Sequence, residues 1–91
     1  MFGMFEYKHT MNNWIETASH LEKTFTFDSF ESAMLFMQKA AIKISELDHH
    51  PTWANTYNKI HIVLSTHDAG NTVTQKDWEL AHELDSIYQQ N

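Results

Sequence analysis

The stretch Asp48-His49-His50-Pro51-Thr52-Trp53 ends the longest helical pattern in the chain and opens its clearest strand pattern. It begins a longer segment, DHHPTWANTYNKIHIVLSTHD (residues 48–68), which holds four of the seven histidines and the only proline. Because proline disfavours helical geometry at the residue before it, the preceding helix must end by His50. We therefore expect both the fold and any chemistry to be organised around this segment.

Two strands are predicted after this helix exit. The first runs from Trp53 to Tyr57 and the second from Ile60 to Thr66, with Asn58-Lys59 as a two-residue turn between them. The second strand alternates strictly, which is typical of a strand with one buried face. One face carries Ile60, Ile62, Leu64 and Thr66, and the other carries His61, Val63, Ser65 and His67.

A long amphipathic helix is predicted before the segment. Asp28-x-x-Glu31 fits an N-cap followed by an acidic third position. Apolar residues then recur at steps of three and four for about five turns, without a glycine or proline. They are Phe30, Ala33, Met34, Met37, Ala40, Ala41, Ile44 and Leu47.

The residues before this helix predict a strand hairpin. Leu21 to Phe27 alternates with period two, Trp14 to Thr17 is a weaker strand, and Ala18-Ser19-His20 forms the turn. Residues 1–12 show no period and are predicted to be poorly ordered.

A final helix follows the loop Asp68-Ala69-Gly70-Asn71. Thr74-x-x-Asp77 is typical of a capping box, and Leu80, Ala81, Leu84, Ile87 and Tyr88 form an apolar stripe. The order β-β-α-β-β-α predicts an α+β fold, a four-stranded antiparallel sheet with helices packed on one face. We expect a single domain over residues 1–91.

Composition narrows the classes of function. A net charge of −6 with only six scattered Lys and Arg argues against a nucleic-acid partner. The absence of cysteine excludes disulfides and thiolate chemistry, and no apolar run is long enough for a membrane helix. The N-terminal residues lack a signal-peptide pattern, so a cytoplasmic location is expected. A domain of 91 residues often oligomerises to gain stability.

The adjacent histidines His49 and His50 allow three interpretations. They can cap the helix end, where a cation meets the negative end of the helix dipole. They can bind a metal, although neither cysteine nor an HExxH pattern accompanies them. They can also act with His67 in acid–base catalysis, because imidazoles both donate and accept protons near neutral pH. We predict no metal site.

The spacing DHHP-x-W-x-N-x-YNK-x-HI-x-LSTH over residues 48–67 resembles the signature of the pterin-4a-carbinolamine dehydratases. The likeness extends to Leu21-x-x-x-Phe25-x-Phe27-x-x-Phe30 and to Thr74-x-x-Asp77-x-x-Leu80-Ala81. It therefore covers the chain from about Trp14 to near its end.

This resemblance implies a small α+β protein that forms homodimers or homotetramers. The implied reaction is loss of water from 4a-hydroxytetrahydropterin to give quinonoid dihydropterin, in the recycling of tetrahydrobiopterin. The pterin is the substrate, and neither a metal nor an organic cofactor is implied. An aromatic amino acid hydroxylase would supply the substrate.

The resemblance also implies roles for particular residues. His49 and His50 would hold the acid and base positions, and His67 would assist. The residues implied to frame the pterin are Asp48, Pro51, Trp53, Ser65, Thr66 and Asp68. Asp77 matches a family position too, but an acidic residue there also completes a helix cap, so both roles stay open.

One departure from the family pattern leaves two alternatives. The family often places a glutamate four residues before the first motif histidine, where this chain has Ser45. The protein is then either an active dehydratase or a pterin-binding paralogue of low activity. Independently of Ser45, a third alternative is a non-enzymatic member acting as a dimerisation cofactor, and it predicts an exposed apolar stripe on the first helix.

Overall fold

The computed structural model describes residues 13–90, which form one antiparallel sheet and two long helices. In chain order the elements are β1 (Ile15–Glu16), β2 (Leu21–Thr26), α1 (Phe30–Leu47), β3 (Thr52–Thr56), β4 (Lys59–Leu64) and α2 (Gln75–Gln89), with a 3-10 turn at His67–Ala69. The predicted α+β order is confirmed. The prediction for residues 1–12 lies outside the described residues. No helix within 13–90 is long and apolar enough to cross a membrane.

The strands lie in the order β1-β2-β4-β3, so the middle of the sheet is formed by strands that are distant in sequence. The register of β2 and β4 runs from Leu21 opposite Leu64 to Thr26 opposite Lys59. Inward apolar residues of both central strands are buried, whereas Thr24 and His61 on the opposite face are exposed. The helices therefore cover one face of the sheet, as predicted.

The turn between β3 and β4 lies one residue earlier in the chain than predicted. Thr56 pairs with Lys59, so the two turn residues are Tyr57 and Asn58, not Asn58 and Lys59. Tyr57 takes the left-handed φ of 52° that a tight hairpin turn demands of a central residue. The side-chain amide of Asn55 donates to the carbonyls of Tyr57 and Lys59, at 3.1 and 3.0 Å, and stabilises the turn.

The start and the buried face of α1 also differ from the predictions. Ser29, not Asp28, is the N-cap, because its extended backbone lets Oγ accept from the backbone N–H of Ser32 at 3.1 Å. The buried stripe includes Phe36, which the predicted stripe omitted, whereas Phe30 and Ala41 are exposed. The helix is thus rotated slightly about its axis, so that a large ring enters the core.

An aromatic cluster joins the sheet to both helices. The Phe36 ring is fully buried and lies 5.1 Å from the Phe25 ring and 5.2 Å from the Phe27 ring, centroid to centroid. Tyr88 of α2 packs against Phe25 at 4.8 Å and donates its hydroxyl to the carbonyl of Thr26 at 2.6 Å. Offset and edge-to-face ring pairs stabilise a core beyond the area they bury.

A largely buried charged pair interrupts this apolar layer. Lys23 of β2 points toward the helices, and its Nζ lies 2.7 Å from Oδ1 of Asp85 on α2. The indole Nε1 of Trp14 donates to the other oxygen of Asp85 at 3.0 Å. Because a lone buried charge is costly, these contacts explain how a lysine fits into the inward face of the strand.

Replacing Phe36 with alanine is expected to lower the free energy of unfolding by about 3–5 kcal/mol, because the substitution leaves a cavity in the middle of the core. Urea denaturation of the two proteins measures this difference. Phe30→Ala is the matched control on the same helix, since Phe30 is 41% exposed. An equal loss in both variants would contradict the central place of Phe36.

Candidate active site

The end of α1 directs two histidines away from the helix. Asp48 follows the helix in the left-handed conformation, with φ 51° and ψ 45°, and its backbone N–H reaches back to the carbonyl of Ser45 at 3.2 Å. This geometry reverses the chain at the helix end, where glycine or asparagine is more usual. Pro51 then keeps His50 from continuing the helix. His49 and His50 therefore leave the helix in a short connection to β3.

The third histidine stands at the end of β4. The chain turns there through a 3-10 turn, and the seven residues from Thr66 to Thr72 close on themselves. The backbone N–H of Thr66 donates to the carbonyl of Thr72 at 2.9 Å, and the N–H of Asn71 donates back to the carbonyl of Thr66 at 3.1 Å. Gly70 has a φ of 81°, in the left-handed region that glycine adopts without strain. The closed loop holds His67 at the same end of the molecule as the exit of α1.

These segments meet around one open cavity of about 240 Å³. Seven of the predicted site residues line it, together with Lys76 from the first turn of α2. The seven are Asp48, His49, His50, Ser65, Thr66, His67 and Asp68. The three predicted catalytic histidines thus border one space although they come from two separate parts of the chain.

Asp77 lies behind this cavity and is completely buried. Its Oδ1 accepts from Nε2 of His49 at 2.6 Å, and its Oδ2 accepts from the hydroxyl of Thr66 at 2.7 Å. The same Oδ2 accepts from the backbone N–H of Thr74 at 2.9 Å and completes the predicted capping box. Asp77 therefore caps α2 and also contacts His49, while a role of Asp77 in the chemistry stays a prediction.

The hydrogen bonds of Asp77 decide the tautomer of His49. A carboxylate only accepts, so Nε2 of His49 must carry the hydrogen that points at it. In the neutral ring the other nitrogen, Nδ1, then carries the lone pair. The ring is largely buried, with 12% of the side chain exposed, and it is held in a single orientation.

The other two histidines are held more loosely. His50 is exposed, and its Nε2 lies 3.7 Å from Oδ1 of Asp48, beyond hydrogen-bond distance. His67 is exposed as well, and its Nδ1 lies 2.9 Å from Oδ1 of Asn71. Neither contact holds the imidazole ring of its histidine as firmly as Asp77 holds the ring of His49.

Four other residues singled out in the sequence do not line the cavity. Ser45 is exposed in the last turn of α1, and Trp53 packs against the hydrophobic core from β3. Pro51 is partly buried in the connection that follows the histidines. His61 lies on the open face of the sheet, where its Nδ1 contacts the hydroxyl of Thr24 at 2.8 Å. Roles for Ser45, Pro51 and Trp53 stay predictions.

The structure adds three residues that sequence reasoning missed. Lys76 lines the cavity from the position directly before Asp77. The capping pattern of the sequence includes this position but suggests no role for its side chain. Asn71 contacts His67 through a loop closure that no spacing reveals. The carbonyl of Ser19, in the β1–β2 turn, accepts from the hydroxyl of Ser65 at 2.8 Å and so joins that turn to the site.

Comparison with known proteins decides the family. The family model described as pterin 4 alpha carbinolamine dehydratase matches residues 5–87. The chain belongs to this family. The resemblance of the sequence motif is thereby confirmed.

Two bacterial proteins provisionally named as pterin-4-alpha-carbinolamine dehydratases are close relatives. The protein of Opitutus terrae is 47% identical over 77 residues, which are 85% of this chain and 79% of the relative. The protein of Rhizobium meliloti is 42% identical over 82 residues, which are 88% of this chain and 78% of the relative. The likeness thus covers most of each protein.

Two solved structures share the fold. A transcriptional coactivator/pterin dehydratase from Brucella melitensis superposes with a TM-score of 0.84 at 33% identity, covering 93% of this chain and 92% of that one. A pterin dehydratase-like protein, identified as a RuBisCO assembly factor in the alpha-carboxysome, superposes with a TM-score of 0.72. It is 21% identical, with 85% and 90% of the two chains covered, and shows likeness of fold alone.

Replacing Asp77 with alanine is expected to lower the free energy of unfolding by about 2–4 kcal/mol, because the buried donors of His49, Thr66 and Thr74 lose their shared acceptor. Urea denaturation measures the loss. Asp68→Ala is the control, since Asp68 is an exposed acid beside the same cavity, and its change should stay within about 0.5 kcal/mol. A small effect for both variants would show that the buried network adds little to stability.

Proposed function

We propose that the protein catalyses the dehydration of 4a-hydroxytetrahydropterin to quinonoid dihydropterin. One observation carries the proposal: His49, His50 and His67 border a single cavity, with the buried carboxylate of Asp77 directly behind His49. Membership of the dehydratase family supports the same reaction.

The reaction needs two proton transfers. The C4a–O bond breaks and its electron pair leaves with the oxygen, which receives a proton and departs as water. A base removes the proton from N5, and the electron pair of that N–H bond forms the C4a=N5 double bond. Histidines supply both functions near neutral pH, so the proposed reaction uses no cofactor, and the pterin is the substrate.

His49 is the best-oriented of the three histidines. Its Nε2–H is committed to Asp77, so Nδ1 is the atom that meets the substrate. Fixing the ring in advance removes a reorganisation that the reaction would otherwise require, and a carboxylate behind the imidazole stabilises positive charge that develops on it. His50 stands beside it at the open side of the cavity, where it exchanges protons with solvent.

Polar residues around the cavity suit a pterin ring. The ring presents an amide-like edge with alternating donors and acceptors, and the cavity offers the carboxylates of Asp48 and Asp68 and the strand end at Ser65-Thr66. We propose that these groups frame the ring. Pro51 and Trp53 are included through the family resemblance alone.

The wider setting is also a proposal. An aromatic amino acid hydroxylase is the proposed source of the substrate in tetrahydrobiopterin recycling, and the cytoplasm is the proposed location. We propose a homodimer or homotetramer, because Leu35 and Ile42 of α1 expose 48% and 64% of their surfaces along one side of the helix. Burying such side chains against a second copy would stabilise a domain of this size.

A second candidate is a non-enzymatic role in protein interaction. The name of the Brucella melitensis relative combines a transcriptional coactivator with a pterin dehydratase, and the exposed residues of α1 provide an apolar surface here. The cavity with three histidines favours catalysis, since a surface used only for interaction does not require it. Turnover measurements separate the two candidates.

Replacing His50 with alanine is expected to lower kcat roughly 10²- to 10⁴-fold, because one of the proton-transfer groups is lost. The assay follows the ultraviolet absorbance of freshly generated 4a-hydroxytetrahydropterin against its spontaneous dehydration. His61→Ala is the matched control, since His61 lies on the open face of the sheet and should leave turnover unchanged. Equal rates for the wild type and the His50 variant would overturn the acid–base proposal.

Replacing Ser45 with glutamate tests the low-activity alternative. If the missing carboxylate limits proton transfer, the variant should turn over several times faster than the wild type, whereas Ser45→Gln, of similar size and uncharged, should not. The same absorbance assay applies. A wild-type rate in the glutamate variant would mean that the site works without a carboxylate at this position.

A further inference from the structure

The loop after β4 holds His67 by its ring as well as by its backbone. Nδ1 of His67 lies 2.9 Å from Oδ1 of Asn71, four residues further along the chain. An amide oxygen accepts hydrogen bonds and carries no hydrogen, so the hydrogen in this contact sits on Nδ1 of the imidazole. In the neutral ring the lone pair is then on Nε2.

The backbone of Asn71 is fixed without help from its side chain. Its N–H donates to the carbonyl of Thr66 at 3.1 Å, and the following residue, Thr72, accepts from the N–H of Thr66 at 2.9 Å. Asn71 has a left-handed φ of 60°, a conformation in which asparagine is enriched. The loop therefore places the amide group beside His67, and a change of this side chain should leave the loop closed.

His49 and His67 are held through opposite nitrogens. His49 directs Nε2 at the carboxylate of Asp77, whereas His67 directs Nδ1 at the neutral amide of Asn71. Thr66 connects the two arrangements, because its hydroxyl donates to Asp77 while its backbone closes the loop that carries Asn71. A negative group thus stands behind one imidazole and an uncharged acceptor behind the other.

We propose that Asn71 is a positioning residue that holds neutral His67 in its Nδ1–H tautomer and presents the Nε2 lone pair to the cavity as the proton acceptor. The assignment rests on the proposed dehydration. The proton of N5 passes to Nε2 of His67, the electron pair of the N–H bond closes the C4a=N5 double bond, and the 4a-oxygen leaves with a proton from one of the other two histidines. Exchange with solvent restores both imidazoles.

The tautomer of His67 is measured by long-range ¹H–¹⁵N correlation spectra of the full chain labelled with ¹⁵N-histidine. In mildly alkaline buffer, where imidazoles are neutral, the pattern of the two ring nitrogens distinguishes the Nδ1–H from the Nε2–H form. The wild type should show His67 as Nδ1–H. An Nε2–H pattern in the wild type would mean that the amide of Asn71 donates instead of accepting, and would overturn the proposal.

Two variants of Asn71 distinguish a role of its side chain in positioning the His67 ring from an effect on the structure of the loop. Asn71→Gly removes the acceptor while keeping the left-handed backbone available, and His67 should shift toward the Nε2–H form that solvated imidazoles prefer. Asn71→Asp keeps an acceptor oxygen and should retain the Nδ1–H form. Asn13→Gly is the matched control, because Asn13 also has a left-handed φ, of 70°, and is exposed.

Kinetics provide the second readout. Asn71→Gly should lower kcat roughly five- to tenfold with little change in KM, because one oriented hydrogen bond is lost while the substrate contacts stay. Asn71→Asp should recover most of the rate, and Asn13→Gly should match the wild type. An unchanged tautomer and unchanged kcat in Asn71→Gly would refute the positioning role.

The two proposals fail in different ways. A wild type that does not accelerate dehydration would refute the proposed function, and with it the part of the inference that makes His67 a proton acceptor. The spectra would still decide whether Asn71 sets the tautomer of His67, since they require neither substrate nor turnover. A normal turnover with an Nε2–H ring in the wild type would refute the inference alone.

Discussion

The buried carboxylate of Asp77 is the constraint on which the rest of this site depends. It has no contact with solvent, so both of its oxygens must accept hydrogen bonds from donors of the protein. The donors come from three places: the helix exit at His49, the segment after β4 at Thr66 and the N-cap of α2 at Thr74. Satisfying one acid therefore joins the exit of α1 to the segment between β4 and α2.

This arrangement makes the fold and the candidate chemistry share one residue. The capping box at the start of α2 uses Oδ2 of Asp77, and the orientation of His49 uses Oδ1. Two hydroxyl groups extend the network. The Oγ1 atoms of Thr74 and Thr66 lie 2.6 Å apart, and the hydroxyl of Thr66 in turn donates to Oδ2 of Asp77. An ordinary helix cap is thus also the support for an imidazole, and neither role excludes the other.

Periodicity and local motifs predicted the parts of this molecule that depend on neighbouring residues. The alternation of β4, the capping box at Thr74 and the break at Pro51 each reflect a preference that acts over a few residues, and each is found in the structure. The identity of the N-cap and the placement of the β3–β4 turn were each missed by one residue. Hydrogen bonds fix the observed positions: Ser29 accepts from the backbone N–H of Ser32, and the amide of Asn55 donates to the carbonyls on both sides of Asn58.

The candidate site was predictable in its histidines but not in their surroundings. His49, His50 and His67 stand out by residue type and by family resemblance, and the structure brings them to one cavity. The contact of Asn71 with His67 and the contact of Ser19 with Ser65 depend on the path of two loops, which no pattern in the chain encodes. The burial of Lys23 against Asp85 is of the same kind, since its strand pattern gives no sign of a partner on α2.

The pairing of β2 with β4 in the middle of the sheet has a consequence for the order of folding. These strands are separated in sequence by the whole of α1 and by β3, so their alignment requires closure of a long loop. Helix α1 and the β3–β4 hairpin involve only near neighbours and can form earlier. The histidine cavity requires the exit of α1, the end of β4 and the start of α2 together. No single helix or hairpin therefore contains the cavity, which exists only when these three parts of the fold are assembled.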